Sequence, residues 1–130
     1  MQHTTLVIVP TYNEAHNIER LIGEVMELNA PMDLLIIDDG SPDGTGGMVK
    51  KLKDRYEGRL HLIERAGKLG LGTAYVAGFK FALDNGYTFI CEMDADFSHD
   101  PHDLPRLVEA VQNGSADVAV GSRYKNGISI

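Results

Sequence analysis

Five short apolar runs are spaced along the chain and alternate with segments of helical periodicity. None of the runs alternates cleanly between apolar and polar residues, which is typical of parallel strands buried on both faces. The runs are Leu6–Val9, Leu34–Ile37, Leu60–Ile63, Tyr87–Met93 and Val118–Val120. Strands that alternate with helices predict an α/β fold, with a mostly parallel sheet and helices on both of its faces.

Between the runs, apolar residues recur at the spacing of a helix. The clearest stripe follows the first run and consists of Ile18, Leu21, Ile22, Val25 and Met26. Shorter stripes begin at Met48, Ala74 and Leu104, and we expect the last of them to end near Asn113. The sequence therefore predicts four helices between five strands.

Polar residues collect directly after four of the five runs. These segments are Pro10–Glu14, Asp38–Thr45, Asp94–Asp96 and Gly121–Arg123. Ligands of open parallel sheets bind beyond the carboxyl ends of the strands. The clusters are richer than turn chemistry requires, so we expect them to form a binding site together.

Composition and charge limit which ligands, and which cellular compartment, we expect for this chain. The chain has 130 residues and a formal net charge of −7, which argues against a nucleic-acid-binding surface. Its single cysteine, Cys91, cannot form an intrachain disulfide, so we expect a reducing compartment. The apolar run Leu6–Val9 is too short for a signal-peptide core or a membrane span.

Asp94 and Asp96 flank Ala95 at the end of the fourth run, just after Glu92. Carboxylates this close repel one another unless a cation lies between them. Mg²⁺ is commonly held by one or two carboxylates together with substrate phosphates. We therefore interpret the pair as ligands of a divalent cation; the alternative is a turn that Asp94 or Ser98 caps.

Asp38 and Asp39 end the second run in a similar way. The segment that follows is partly structural, because it is rich in turn residues and Thr45 is placed to cap the next helix. An acid at this point of a βαβ unit suits hydrogen bonds to a ribose or a base. We interpret Asp39 as the ligand-binding member of the pair and Asp38 as the structural one.

In the first polar segment, Thr11 and Glu14 have the spacing of a capping box, and Asn13 is a second candidate cap. Tyr12 is not needed for packing in a tight turn and is a candidate to stack on a nucleobase. The turn contains no glycine, so the dinucleotide-binding fingerprint is absent, and the chain has no Walker A motif.

The segment Arg65–Tyr75 carries three glycines and two cations after the third run. Two interpretations stay open for it: a flexible loop that leads into a helix, or a mobile basic flap over a phosphate or sugar. Arg123 follows the fifth run, where its guanidinium can hold a phosphate in a fork. His99 is interpreted as a hydrogen-bonding loop residue.

Five segments, in order, resemble the catalytic domain of inverting family-2 glycosyltransferases, and more narrowly the dolichol-phosphate or polyprenol-phosphate mannosyltransferases. They are PTYNE (10–14), IIDDGSPDGT (36–45), GLGTAYVAG (70–78), MDADFSHDP (93–101) and GSRY (121–124). The likeness runs from residue 6 to about residue 124. It implies a GT-A-like, nucleotide-sugar-binding sheet.

The resemblance also implies roles for individual residues. The donor nucleotide sugar would contact Pro10, Tyr12, Glu14, Ile37, Asp39, Asp94, Ala95, Asp96 and Arg123. Asp94 and Asp96 would hold Mg²⁺ or Mn²⁺ against the donor's diphosphate. Arg123 would contact the diphosphate or the acceptor phosphate, and these last three residues form the expected catalytic set.

The implied reaction transfers mannose from GDP-mannose to a dolichyl or polyprenyl phosphate, with inversion at the anomeric carbon. A phosphate monoester has a second pKa near ~6, so at neutral pH the acceptor is already largely an anionic nucleophile. No residue is obviously placed as a catalytic base, and none is needed. The lipid acceptor implies a cytoplasmic protein that works at the cytoplasmic face of a membrane, through parts that are not in this chain.

Members of this family continue beyond GSRY with an acceptor loop and membrane-associated helices. We therefore expect residues 1–130 to be the nucleotide-sugar-binding catalytic domain of a longer enzyme, which binds GDP with metal but turns over poorly alone. Three alternatives are open. The donor is another nucleotide sugar such as UDP-glucose; Asp94 is the nucleophile of a D-x-D phosphatase; or the chain is a non-catalytic, receiver-like module.

Overall fold

The computed structural model describes residues 5–28, 32–67, 69–96, 100–112 and 118–120. Within them, strands and helices alternate along the whole chain. The strands are β1 (Thr5–Thr11), β2 (Met32–Asp38), β3 (Leu60–Glu64), β4 (Phe89–Glu92) and β5 (Val118–Val120). The helices are α1 (Ala15–Met26), α2 (Thr45–Lys53), α3 (Leu71–Asp84) and α4 (Leu104–Gln112), and a 3₁₀ turn at Pro101–Asp103 precedes α4.

The predicted five strands and four helices are confirmed. The fourth strand is shorter than its apolar run, because it begins at Phe89 rather than at Tyr87. The backbone N–H of Tyr87 donates to the carbonyl of Ala82 (2.9 Å), so Tyr87 belongs to the turn that follows α3. An apolar run alone does not distinguish a buried turn residue from a strand residue.

All five strands are parallel, in the order β3-β2-β1-β4-β5. The chain builds the sheet outward from β1 through β2 to β3 and then returns to place β4 on the other side of β1. The strand order therefore reverses between β1 and β4, and open sheets of this kind bind ligands at such a point. Both β1 and β4 end in polar segments that the sequence marks as candidate binding residues.

Helices cover both faces of the sheet, as predicted. Side chains of α1, α2 and α4 pack with Val7 and Val9 on one face. Leu6 and Ile8 point to the other face, where they pack with residues of α3. Since both faces of the central strands are buried, successive positions are apolar, which explains why the runs do not alternate. Cys91 is part of this core, and burial raises the pKa of its thiol to about 12.

No helix within the described ranges is long and apolar enough to cross a membrane. The longest of them, α3, has 14 residues, whereas a transmembrane helix needs about 20.

Close packing of α3 on the sheet depends on Gly78. A Cβ atom at this position would lie 2.7 Å from Ile8 Cδ1 and 3.2 Å from Ile37 Cδ1. We expect Gly78→Ala to lower the free energy of unfolding by about 1–3 kcal/mol, because the added methyl overpacks the core. Gly72→Ala in the same helix is the matched control: apart from its chain neighbours and its own helix backbone, no atom lies within 4 Å of its Cβ position, and we expect it to stabilise by up to ~1 kcal/mol. Urea unfolding of both variants measures the difference, and equal midpoints would contradict it.

Candidate functional site

A cavity of about 220 Å³ lies at the carboxyl ends of β1 and β2. It is lined by Pro10, Thr11, Tyr12, Glu14, Asp39, Gly70 and Ala74. Four of the residues predicted to contact the donor, from two different polar segments, therefore meet in one place. Tyr12 is 38% exposed, so part of the ring surface is accessible from this opening.

The two segments are joined by an interlocking set of hydrogen bonds. Three consecutive backbone N–H groups at the start of α1 donate to three side chains of the loop that follows β2. The pairs are Asn13 N to Ser41 Oγ (2.8 Å), Glu14 N to Thr45 Oγ1 (3.0 Å) and Ala15 N to Asp43 Oδ2 (3.0 Å). The hydrogen bond from the Thr45 hydroxyl is the main cause of a lowered pKa at Asp43. These contacts fix the backbone that carries Tyr12 and Glu14.

The capping predictions for this region were wrong. Thr11 is the last residue of β1, and its hydroxyl donates to Asp38 Oδ1 (2.7 Å) rather than accepting from a backbone N–H at the start of α1. Glu14 is the N-cap residue of α1, but its side chain makes no capping hydrogen bond. The candidate cap Asn13 contributes its backbone N–H, which donates to Ser41 Oγ, rather than a side-chain acceptor. Thr45 is the first residue of α2, and its backbone N–H donates to Asp43 Oδ1 (3.1 Å). The capping oxygens belong instead to the loop that follows β2, which the fold brings within hydrogen-bond distance of these N–H groups.

Asp38 is an internal link of the loop. Its carboxylate accepts hydrogen bonds from the Thr11 hydroxyl (2.7 Å), the Ser41 hydroxyl (2.6 Å) and the Ser41 backbone N–H (3.0 Å). The residue is 2% exposed. This agrees with the prediction that Asp38 is the structural member of the acidic pair.

Asp39 faces the cavity and is paired with Arg65. The guanidinium donates from Nε to Asp39 Oδ1 (2.6 Å) and from Nη2 to Asp39 Oδ2 (2.9 Å). It also donates to Thr73 Oγ1 (2.9 Å) and to the Gly70 carbonyl (3.2 Å). Arg65 is thus committed to protein groups, and it does not serve as the free cation of a basic flap. The other cation of that segment, Lys68, lies outside the described residues.

The acidic pair Asp94 and Asp96 follows β4 at the same edge of the sheet. The backbone N–H of Met93 donates to the Ile8 carbonyl (3.0 Å), so the chain after Met93 leaves the sheet beside Pro10. Asp94 is half-buried, Ala95 is buried and Asp96 is exposed. Burial, and next the negative charge of Asp94, raises the pKa of Glu92. The local field is negative, which favours a cation here.

The residues present fit a divalent cation that is shared with a ligand. Among the described residues, no group of three or more His, Cys, Asp or Glu side chains is arranged to hold a metal ion. The carboxylates of Asp94 and Asp96 are the kind of ligand that Mg²⁺ or Mn²⁺ uses when phosphate oxygens complete its coordination.

Ile37 and Arg123, two of the predicted donor contacts, are not among the described residues that line the cavity. Ile37 is fully buried beneath α3 and pairs with both β1 and β3, so the structure does not bring it to the cavity surface. Arg123 and His99 lie outside the described residues.

Sequence reasoning missed two features of the cavity. The first is that Arg65 pairs with Asp39, although a cation directly after β3 was a signal, because β3 lies beside β2 in the sheet. The second is that Gly70 and Ala74, at the start of α3, form a wall of the cavity. The glycine-rich segment is visible in the sequence, but its place beside Asp39 depends on the packing of α3 against β1 and β2.

Comparison with known proteins identifies the family. The family described as Glycosyl transferase family 2 matches residues 6–130. The chain belongs to this family. The alternatives of a phosphatase and a receiver-like module are therefore set aside, and the predicted family is confirmed.

Three curated relatives of this glycosyltransferase domain have closely related names. A polyprenol monophosphomannose synthase of Mycolicibacterium smegmatis is 49% identical over 95% of the chain, and an undecaprenyl-phosphate mannosyltransferase of Micrococcus luteus is 44% identical over 94%. A dolichol-phosphate mannosyltransferase of Pyrococcus furiosus is 40% identical over 93%. The matches cover 46%, 49% and 33% of these relatives, so the chain spans half of their length or less.

Solved structures support the GT-A-like fold. The mannosyltransferase PcManGT from Pyrobaculum calidifontis, in complex with GDP-mannose and Mn²⁺, superposes with a TM-score of 0.74 at 26% identity, over 87% of this chain and 33% of that one. TarS of S. aureus in complex with UDP-GlcNAc gives 0.69 at 24% identity, over 88% of this chain and 32% of TarS. The second likeness shows the fold alone.

Proposed function

We propose that this domain binds GDP-mannose with a divalent cation, and that the protein it represents transfers mannose to a dolichyl or polyprenyl phosphate with inversion. The observation that carries the proposal is the agreement of three relatives, 40–49% identical, all named for mannosyl transfer to or synthesis on a polyprenol-type phosphate. The alternative donor, a UDP sugar, has no relative of comparable identity among them.

The cavity suits the nucleoside part of such a donor. Tyr12 offers an accessible ring for stacking on a base. Asp39 presents a carboxylate that can accept hydrogen bonds from ribose hydroxyls or base N–H groups. Pro10 and Glu14 complete the wall on the β1 side.

Asp94 and Asp96 are the residues that would hold Mg²⁺ or Mn²⁺, with Ala95 between them. When bound, the cation would offset the negative charge of the donor's diphosphate, which otherwise faces an acidic strand edge. We place Arg123 against the diphosphate or the acceptor phosphate. The acceptor phosphate is already ionised at neutral pH, so this site requires positioning and charge stabilisation rather than a catalytic base.

We also place the reaction at the cytoplasmic face of a membrane, because a polyprenyl phosphate is a lipid. The net charge of −7 does not favour attraction of this domain to anionic lipids. Contact with the bilayer would therefore involve the acceptor's chain or segments outside this domain.

The test is a calorimetric titration of the domain with GDP, GDP-mannose, UDP and UDP-glucose, each with MnCl₂, with MgCl₂ and with EDTA. We expect GDP and GDP-mannose to bind at least about 10-fold more tightly than the uridine nucleotides, a difference of roughly 1.4 kcal/mol. EDTA should weaken the binding of all of them. A preference for UDP-glucose would contradict the proposed donor, and the absence of nucleotide binding would contradict the proposal as a whole.

A further inference from the structure

We propose that Arg65 is a positioning residue of the donor cavity, which acts through Asp39 and through the segment that leads into α3. The inference rests on the proposed function, because it concerns the same cavity. Arg65 does not line the cavity. Its contacts nevertheless determine where two of the lining residues, Asp39 and Gly70, are held.

The first contact is a two-pronged ion pair. Arg65 Nε and Nη2 reach one oxygen each of the Asp39 carboxylate, at 2.6 and 2.9 Å. Both side chains are 10% exposed. A planar guanidinium that holds both oxygens fixes the plane of the carboxylate as well as its position. The remaining lone pairs of Asp39 are then directed in one fixed orientation toward a ligand.

The pair also changes the charge of the cavity wall. A nucleoside diphosphate is an anion, and Glu14 already lines the cavity. An uncompensated carboxylate at Asp39, nearly removed from water, would repel such a ligand more strongly than an exposed one would. The guanidinium offsets this charge while it leaves the carboxylate able to accept hydrogen bonds.

The second set of contacts ties the opposite wall to the same guanidinium. Arg65 donates to Thr73 Oγ1 (2.9 Å) and to the Gly70 carbonyl (3.2 Å). Gly70 has a φ of +104°, a conformation that other residues rarely adopt. Arg65 thus links the end of β2 to the first turn of α3, and the cavity lies between these two elements. All three guanidinium nitrogens (Nε, Nη1 and Nη2) donate hydrogen bonds to protein groups. Arg65 therefore holds these two elements together and does not act as a phosphate ligand.

The experiment measures the dissociation constant for GDP, with MnCl₂ present, in wild type, Arg65→Gln, Arg65→Lys, Asp39→Asn and the Asp39→Asn/Arg65→Gln double variant. We expect Arg65→Gln to weaken binding by about 10- to 100-fold, by analogy with the loss seen when a group that orients a metal ligand is removed. Arg65→Lys keeps the charge but not the fork, so its loss should be smaller. Arg20→Gln, at an exposed arginine of α1 that pairs with Glu24, should bind as the wild type does.

The double variant separates positioning from general destabilisation. If Arg65 acts partly through Asp39, the two losses should be less than additive, and the loss that Arg65→Gln adds to Asp39→Asn measures the part that it exerts through Thr73 and Gly70. Fully additive losses would overturn the inference. So would a wild-type dissociation constant for Arg65→Gln. If Arg65→Gln does not fold, the same criterion applies to Arg65→Lys. Thermal unfolding of each variant verifies that the folded protein is being titrated.

The same series with UDP distinguishes the two proposals. A wild type that prefers UDP contradicts the proposed donor. In that case the dissociation constant of Arg65→Gln for UDP, compared with that of the wild type, decides the role of Arg65. A wild type that binds GDP while Arg65→Gln binds it equally well overturns only the role of Arg65. A wild type that binds neither nucleotide overturns both.

Discussion

Replacing Asp96 with alanine is expected to weaken GDP binding in the presence of Mn²⁺ by at least about 100-fold. The proposed cation has two protein carboxylates, at Asp94 and Asp96, and the donor's phosphates complete its coordination. Losing one of two charged ligands removes much of the metal-mediated attraction, and roughly 3 kcal/mol of lost binding corresponds to this factor. Calorimetric titration with GDP, with MnCl₂ and with EDTA, measures both the affinity and its dependence on metal.

The effect should be confined to binding. Asp96 is exposed, and exposed substitutions usually change stability by less than ~0.5 kcal/mol. The matched control is Asp84→Ala, since Asp84 is also exposed and ends α3, away from the start of that helix, which lines the cavity. In EDTA, wild type and Asp96→Ala should bind GDP with similar, weak affinity. Undiminished Mn²⁺-dependent binding by Asp96→Ala would show that the cation is held elsewhere.

The sheet was predictable because its physical signal is local. A strand buried on both faces must be apolar at nearly every position, so each run indicates a strand, although not its exact ends, without knowledge of its neighbours. Polar residues at the ends of such runs must lie at one edge when the strands are parallel. That argument alone predicted that Tyr12 and Asp39, which are in different segments, would belong to the same site.

The hydrogen bonds within the site were not predictable for the opposite reason. The spacing of Thr11 and Glu14 satisfies a local capping rule, yet the Thr11 hydroxyl bonds to Asp38, 27 residues away. Arg65 and Asp39 are 26 residues apart. A sequence rule weighs only partners that are near along the chain, whereas in the folded protein any oxygen that the sheet brings close competes for the same donor.

Asp38→Ala should be the most destabilising change at this edge of the sheet. It removes three hydrogen bonds to a carboxylate and leaves the hydroxyl of Thr11, which is 4% exposed, without its acceptor. We expect the free energy of unfolding to fall by about 2–4 kcal/mol, because buried donors that lose an acceptor retain the cost of desolvation. Urea or thermal unfolding, followed by circular dichroism, measures the loss.

A graded series shows whether the carboxylate or merely the side-chain volume matters. Asp38→Asn preserves the shape and can keep the two bonds from hydroxyl groups, but its amide nitrogen would face the Ser41 N–H, so we expect an intermediate loss of about 1–2 kcal/mol. Asp54→Ala, an exposed acid that follows α2, should leave stability nearly unchanged. Since Asp38 anchors the loop that carries Asp39 and Asp43, GDP affinity should decline in the same order as stability. Equal stability of Asp38→Ala and Asp54→Ala would mean that the loop is held by its other contacts, and that the acidic pair has no structural member.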